Sequence, residues 1–212
     1  MFKKDKKKIF CIGTGKTGTT SIARALKDFK FQLGDQSSSE LLLTKWYNRD
    51  FKSIIKFCHS ADAFQDIPFS LPFTYIALDQ YFKNAKFILT IRDTPNQWYE
   101  SITSFHSKLW GEDQGLPNAN QLKKASYRYP GFAYEAQKLI YNTPDEDLYN
   151  EETLKNFYTR HNHNVIEYFK SRPEKFLIIN VSRKEDYFKL CKFLEKDPIA
   201  SSFPWENKTD SL

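Results

Sequence analysis

Lys8-Ile9-Phe10-Cys11-Ile12-Gly13-Thr14-Gly15-Lys16-Thr17-Gly18-Thr19-Thr20-Ser21 begins as an apolar run and stops at a glycine. A short loop of Gly, Lys and Thr follows, and the helical pattern Ile22-Ala23-Arg24-Ala25-Leu26 takes over. Strand, small polar loop, helix is the order that builds an anion cradle. The backbone N–H groups of the loop and the first helical turn lack intrahelical partners and point at whatever sits there. Gly13, Gly15 and Gly18 allow the backbone to approach a ligand closely. Lys16 adds a mobile point charge, and Thr17, Thr19, Thr20 and Ser21 add hydroxyl donors. The expected ligand is a phosphate or a chemically similar group; a plain β–α turn is the bland alternative. A Walker A loop needs G-x-x-x-x-G-K-[ST], but here Lys16 precedes Gly18 by two positions. The three glycines fit G-x-G-x-x-G, with Asp35 at a tolerable distance for the acidic partner. A lysine inside the loop argues against that dinucleotide site, where the backbone alone holds the pyrophosphate.

A chain of 212 residues is long enough for one α/β domain with a full core. No linker divides it, so one domain over 1–212 is expected, with residues 1–7 as a basic arm. The formal net charge is +6, part of it from Lys3-Lys4-Asp5-Lys6-Lys7-Lys8. Such a run is ordinarily a solvated arm, and the remaining excess suits an anionic ligand better than a nucleic acid or a membrane surface. Cys11, Cys58 and Cys191 are odd in number, widely spaced and without a C-x-x-C pair. They read as buried thiols in a reducing, cytoplasmic setting. No signal-like leader and no apolar run of about eighteen residues is present, so no membrane span is expected.

Further along, Ala63–Ile67 reads as a second strand ended by Pro68. Lys86-Phe-Ile-Leu-Thr-Ile-Arg92 is the clearest strand of all, and Phe176–Asn180 is the last. Helices are expected near 19–29, 37–46, 51–57, 71–82, from Pro95 past Phe105, 121–141, 151–169 and 185–195. Gly111–Asn120 reads as a loop beside the site. Strands separated by helices imply a central parallel sheet flanked by helices, with ligands at the strands' carboxyl ends. Lys16, Asp66 and Arg92-Asp93 each follow such an end.

These segments together resemble the sulfotransferases that use 3′-phosphoadenosine 5′-phosphosulfate (PAPS). Lys16-Thr-Gly-Thr-Thr-Ser21 is similar to the family's 5′-phosphosulfate loop. Phe87-Ile-Leu-Thr-Ile-Arg-Asp93, with Trp98 and Ser101, is similar to its 3′-phosphate element. Phe64-Gln-Asp-Ile-Pro68, Tyr158-x-x-His161-Asn162-x-x-Val165, Leu190-Cys-Lys-Phe-Leu194 and Phe203-Pro-x-x-Asn207 extend the resemblance along nearly the whole chain. It implies a P-loop NTPase-like sulfotransferase architecture and transfer of a sulfuryl group to a hydroxyl or amine of a small-molecule or glycan acceptor. No metal is implied. Lys16 would stabilise charge on the leaving group. Gly15, Lys16, Thr17, Gly18, Thr19 and Thr20 would cradle the 5′-phosphate. Arg92 would clamp the 3′-phosphate, with Ser101 adding a hydrogen bond.

The family's cytosolic branch carries a His base where this chain has Asp66, which makes Asp66 the candidate base; a turn residue before Pro68 is the other reading. His59 and Asp62 are fallbacks. Ser101 lies nine positions after Arg92, one more than the family pattern, so Thr103 and Ser104 stand as substitutes. Trp98, Phe203 and Trp205 are candidates for adenine stacking, and Arg183, Lys184, Asn207 and Lys208 for further nucleotide contacts. His161 and His163 fall on different helix faces, which argues against a shared metal. The rival readings are a nucleotide-dependent kinase or NTPase, and a degenerate nucleotide-binding partner module.

Overall fold

A computed structural model describes residues 7–113 and 115–204. In chain order its elements are β1 (Ile9–Cys11), α1 (Thr19–Asp28), α2 (Gln36–Glu40), α3 (Leu43–Tyr47), α4 (Phe51–Phe57), β2 (Ala63–Phe64), α5 (Thr74–Tyr81) and β3 (Lys86–Thr90). There follow α6 (Pro95–Trp110), α7 (Ala119–Lys124), α8 (Phe132–Tyr141), α9 (Glu151–Phe169), β4 (Phe176–Ile179) and α10 (Lys184–Leu194). The described residues divide into two compact units, one of residues 7–91 and 162–204, the other of residues 92–113 and 115–161.

The first unit holds the sheet. Its strands are all parallel, in the order β2-β1-β3-β4. Ile9 pairs with Ala63 on one side and Lys86 on the other, and Phe87 pairs with Phe176. Both faces of the central strands are covered: Ile9, Phe10, Cys11, Phe87, Ile88 and Leu89 are all buried. That is why these strands read as unbroken apolar runs rather than as alternation. The ring of Phe10 packs on Phe64, Phe69 and Phe87 at 5.5–5.9 Å between centroids. On the other face Ile22, Leu26, Ile88, Leu190 and Phe203 share one cluster. The connection from β1 runs to one neighbour and that from β2 returns to the other. The strand order therefore switches between β1 and β3, and a parallel sheet opens a crevice at that point, outside the carboxyl ends.

Asp79 on α5, buried, receives Tyr168 Oη at 2.9 Å and Lys175 Nζ at 2.6 Å, and it pairs with Arg172. This ties α5 to the chain before β4.

The second unit is helical. Thr94 caps α6 by accepting the Gln97 N–H at 3.1 Å, and Pro95 occupies the first turn as expected. Trp98, Ile102, Leu122, Leu154 and Tyr158 form its core.

Three expectations are corrected. The helix expected over 121–141 is two helices, because the chain turns through Pro130 and Gly131, the latter at φ 88°. The helix expected over 37–46 is likewise split, at Leu41–Leu42. The second strand is shorter than Ala63–Ile67, since Asp66 already sits at φ 65° and cannot continue an extended ladder.

Candidate functional site

The loop after β1 is built by close packing. A Cβ on Gly13 would lie 2.1 Å from Thr90 Oγ1 and 2.5 Å from the Thr90 carbonyl oxygen, so the loop can leave the sheet there only as glycine. Gly18, at φ 98°, forms the N-cap of α1 and presses on Val181, which a Cβ would approach to 2.3 Å. Between them Lys16 takes φ 68°, an uncommon conformation for a residue with a side chain.

Thr17 is fully buried. Its hydroxyl donates to the Thr14 carbonyl at 2.6 Å, and its N–H reaches the same oxygen at 3.3 Å. With that proton committed, Thr90 Oγ1, at 2.6 Å, must be the donor to Thr17 Oγ1. In this geometry the Thr17 hydroxyl braces the loop against β3.

Thr14, which the sequence did not single out, has a buried hydroxyl with no hydrogen-bond partner in the structure. At Gly15 an added Cβ would meet nothing within 4 Å, so the loop is open on that side. The first turn of α1 holds Thr19, Thr20 and Ser21 and no acidic residue, and no side chain caps it. An unsatisfied hydroxyl, an open backbone and a lysine ahead of a helix whose first turn carries no acidic residue fit an anionic group.

Asp66 follows β2, two residues beyond the Phe10–Phe64 pair, at the same carboxyl edge of the sheet as the loop. Its Oδ1 accepts the Ile67 N–H at 2.9 Å, and its Oδ2 lies 3.4 Å from Gln36 Nε2. Gln36 Nε2 also donates to Glu40 Oε1 at 2.8 Å, and Gln36 Oε1 accepts Gln65 Nε2 at 3.0 Å. Asp66 thus sits in a polar network whose other members lie on α2 and in the loop after β2. Cys11 feels that carboxylate, although burial is the main force pushing its thiol up to about 12. Asp62 precedes β2, and His59 lies further upstream, stacked edge-on against Tyr81 and Phe82. In a parallel sheet that is the amino end, which removes both fallback bases from the loop's edge.

Arg92 and Ser101 belong to the second unit. Arg92 is half-buried, and its N–H donates to Tyr158 Oη at 2.9 Å. Burial pushes its guanidinium down from the usual value, with Tyr158 and Asp93 opposing. A cation held in a desolvated place gains more from an anion than one in water. Ser101 and Ser104 are half-buried on α6, whereas the Thr103 hydroxyl is turned back on its own helix, bonded to the Tyr99 carbonyl at 2.7 Å. Thr103 is thereby a poor substitute for Ser101.

Trp98 is fully buried and stacked on Tyr158 at 4.8 Å and 10°, and Phe203 packs edge-on against Tyr187 in the core of the first unit. Neither offers a free face to a base. His161 is buried and stacked on Phe157 at 6.3 Å, a packing histidine. Arg183 and Lys184 begin α10 after β4. Trp205, Asn207, Lys208 and all but the last residue of the expected 1–7 arm lie outside the described residues. Among the described residues no group of three or more His, Cys, Asp or Glu side chains could hold a metal ion, and no helix is long and apolar enough to cross a membrane.

A family model described as a sulfotransferase domain matches residues 8–212, a span that runs through both units. No curated protein matches the chain.

Proposed function

The chain belongs to the sulfotransferase domain family, and on that premise we propose that it moves a sulfuryl group from PAPS to a hydroxyl or amine of a small-molecule or glycan acceptor. The observation that carries the reading is the loop after β1, where a buried unpartnered hydroxyl, an open glycine and a strained lysine meet at an uncapped helix start.

When bound, PAPS supplies an activated sulfuryl group on a nucleotide leaving group. The N–H groups around Gly15, Gly18, Thr19 and Thr20, joined by the Thr14 hydroxyl, receive the 5′-phosphate, while Thr17 holds the loop rigid from beneath. Lys16 sets its charge where negative charge develops on the leaving oxygen. Arg92, desolvated and planar, takes the 3′-phosphate with Ser101 beside it. Asp66 receives the acceptor's proton, its carboxylate oriented by the Ile67 N–H on one oxygen and Gln36 on the other. The reaction as proposed uses no metal.

The buried thiols Cys11, Cys58 and Cys191 support a reducing, cytoplasmic setting. A kinase reading ranks lower because Lys16 is not where a Walker A loop needs it. The test is transfer of labelled sulfuryl from PAPS to a broad acceptor panel, with Lys16→Ala alongside. Labelled product from wild type, reduced at least about a hundredfold in the variant, supports the reading. Donor binding without product on any acceptor supports the partner-module alternative.

A further inference from the structure

We propose that a groove on the second unit binds a neutral oligosaccharide. The groove has a volume of about 610 Å³ and is lined by Trp110, Tyr127, Asn118, Gln121, Lys124 and Glu112, among others. That size falls within the span of small-ligand sites, about 300–1,000 Å³.

The chemistry of the lining selects the ligand class. The rings of Trp110 and Tyr127 stand at 80° with centroids 5.9 Å apart, so two large aromatic surfaces form a corner. Tyr127 remains 42% exposed even with the Arg128 guanidinium over its ring. Aromatic faces carry partial negative charge and attract the weakly positive C–H groups of a sugar ring.

The polar groups are fixed in advance. Asn118 Oδ1 accepts the Gln121 N–H at 3.0 Å, and Gln121 Oε1 accepts the Asn118 N–H at 2.8 Å. This reciprocal pair settles which way each amide points, and it leaves both NH₂ groups as donors. Sugar hydroxyls accept such bonds and can donate in return to Glu112. Lys124 and Glu112 oppose each other in sign, so these two charges do not select an anion. The neighbouring guanidinium of Arg128 is laid over the ring of Tyr127 at 4.3 Å. A corner of aromatic rings with pre-set amide donors suits a polyhydroxylated, uncharged chain better than a lipid or a nucleotide. The groove's role as an acceptor subsite rests on the transfer reading above; binding of the sugar does not.

The experiment is calorimetric titration of the full chain with cellotriose, maltotriose and chitotriose, with trigalacturonate as the charged comparator. Tyr127→Ala and Asn120→Ala, both changes at exposed groove residues, are titrated in parallel. Saturable binding of a neutral trisaccharide, weakened about tenfold or more by Tyr127→Ala, is the expected result. No binding of any neutral trisaccharide at millimolar concentration overturns the proposal. So does binding confined to trigalacturonate, or binding that neither variant alters. Each sample is also titrated with 3′-phosphoadenosine 5′-phosphate. A chain that binds the nucleotide and no sugar refutes the groove alone, and one that binds sugar and no nucleotide refutes the transfer reading alone.

Discussion

Gly13 and Gly15 differ by two positions, and the structure assigns them opposite responses to alanine. At Gly13 the new methyl would fall within 2.1–2.7 Å of Thr90 Oγ1, carbonyl oxygen and N–H nitrogen. Two of those atoms are backbone of the adjoining strand, so relief requires moving β1 away from β3. Forced overpacking costs about 1–3 kcal/mol, and a collision with sheet backbone belongs at the upper end. At about 3 kcal/mol, a protein of this size loses about 6–12 °C in Tm. At Gly15 the methyl meets nothing within 4 Å, and the backbone there is not in the left-handed region. Alanine then stabilises slightly by narrowing the unfolded ensemble, by about 0.4–1 kcal/mol. Yet that same open side is where the loop backbone would approach an anion. Gly15→Ala should therefore keep or raise the Tm while weakening 3′-phosphoadenosine 5′-phosphate binding about tenfold or more, a closed-approach effect. The assay is thermal unfolding of both variants, with and without the nucleotide. A Gly13→Ala protein with wild-type Tm, or a Gly15→Ala protein with unchanged nucleotide affinity, would refute the reasoning.

Thr17→Val removes the hydroxyl between Thr14 and Thr90 and strands a buried donor; chemical denaturation should show a loss of about 1–3 kcal/mol. Asp66→Asn should lower turnover about 10²- to 10⁴-fold with nucleotide affinity unchanged in calorimetry; equal loss of both would reassign Asp66 to a structural role. At Asp79 burial raises the carboxyl, but bonds from Lys175, Arg172 and Tyr168 outweigh it and hold the group below its ordinary value. A depressed folded value means stability fully present above the ordinary carboxylate value and lost as pH falls from there through the lower folded value. Asp79→Asn should cost about 2 kcal/mol at neutral pH, less than a fully buried pair because its cationic partners are partly solvated. The gap from wild type should close below roughly pH 4; a gap independent of pH would contradict the assignment.

The strand, loop and helix around Lys16 were legible because each local signal agreed: an apolar run, glycines where packing or φ demands them, and an uncapped helix start. β3 and the start of α6 were legible for the same reason, through a short β-rich run and a Thr-Pro cap. The break between α7 and α8 carried its signal in Pro130-Gly131, but the apolar periodicity on either side masked it. Which threonine of the loop braces and which faces outward depends on Thr90, far along the chain, and no spacing within the loop reports that. The buried hydroxyl of Thr14 was missed because a threonine between two glycines has no distinguishing pattern. Gln36 and Glu40 were missed around Asp66 for a related reason. The bonds of Gln36 to Asp66 and Gln65 join α2 to the loop after β2 across about thirty residues, and side-chain pairing at that range is set by packing alone; Glu40 enters the network only through Gln36.

The most direct test of the central claim is calorimetric titration of 3′-phosphoadenosine 5′-phosphate into wild type and Arg92→Ala without added metal. The account predicts saturable binding by wild type and its collapse in the variant. No binding by wild type, together with metal-dependent binding of ATP or GTP, would contradict it.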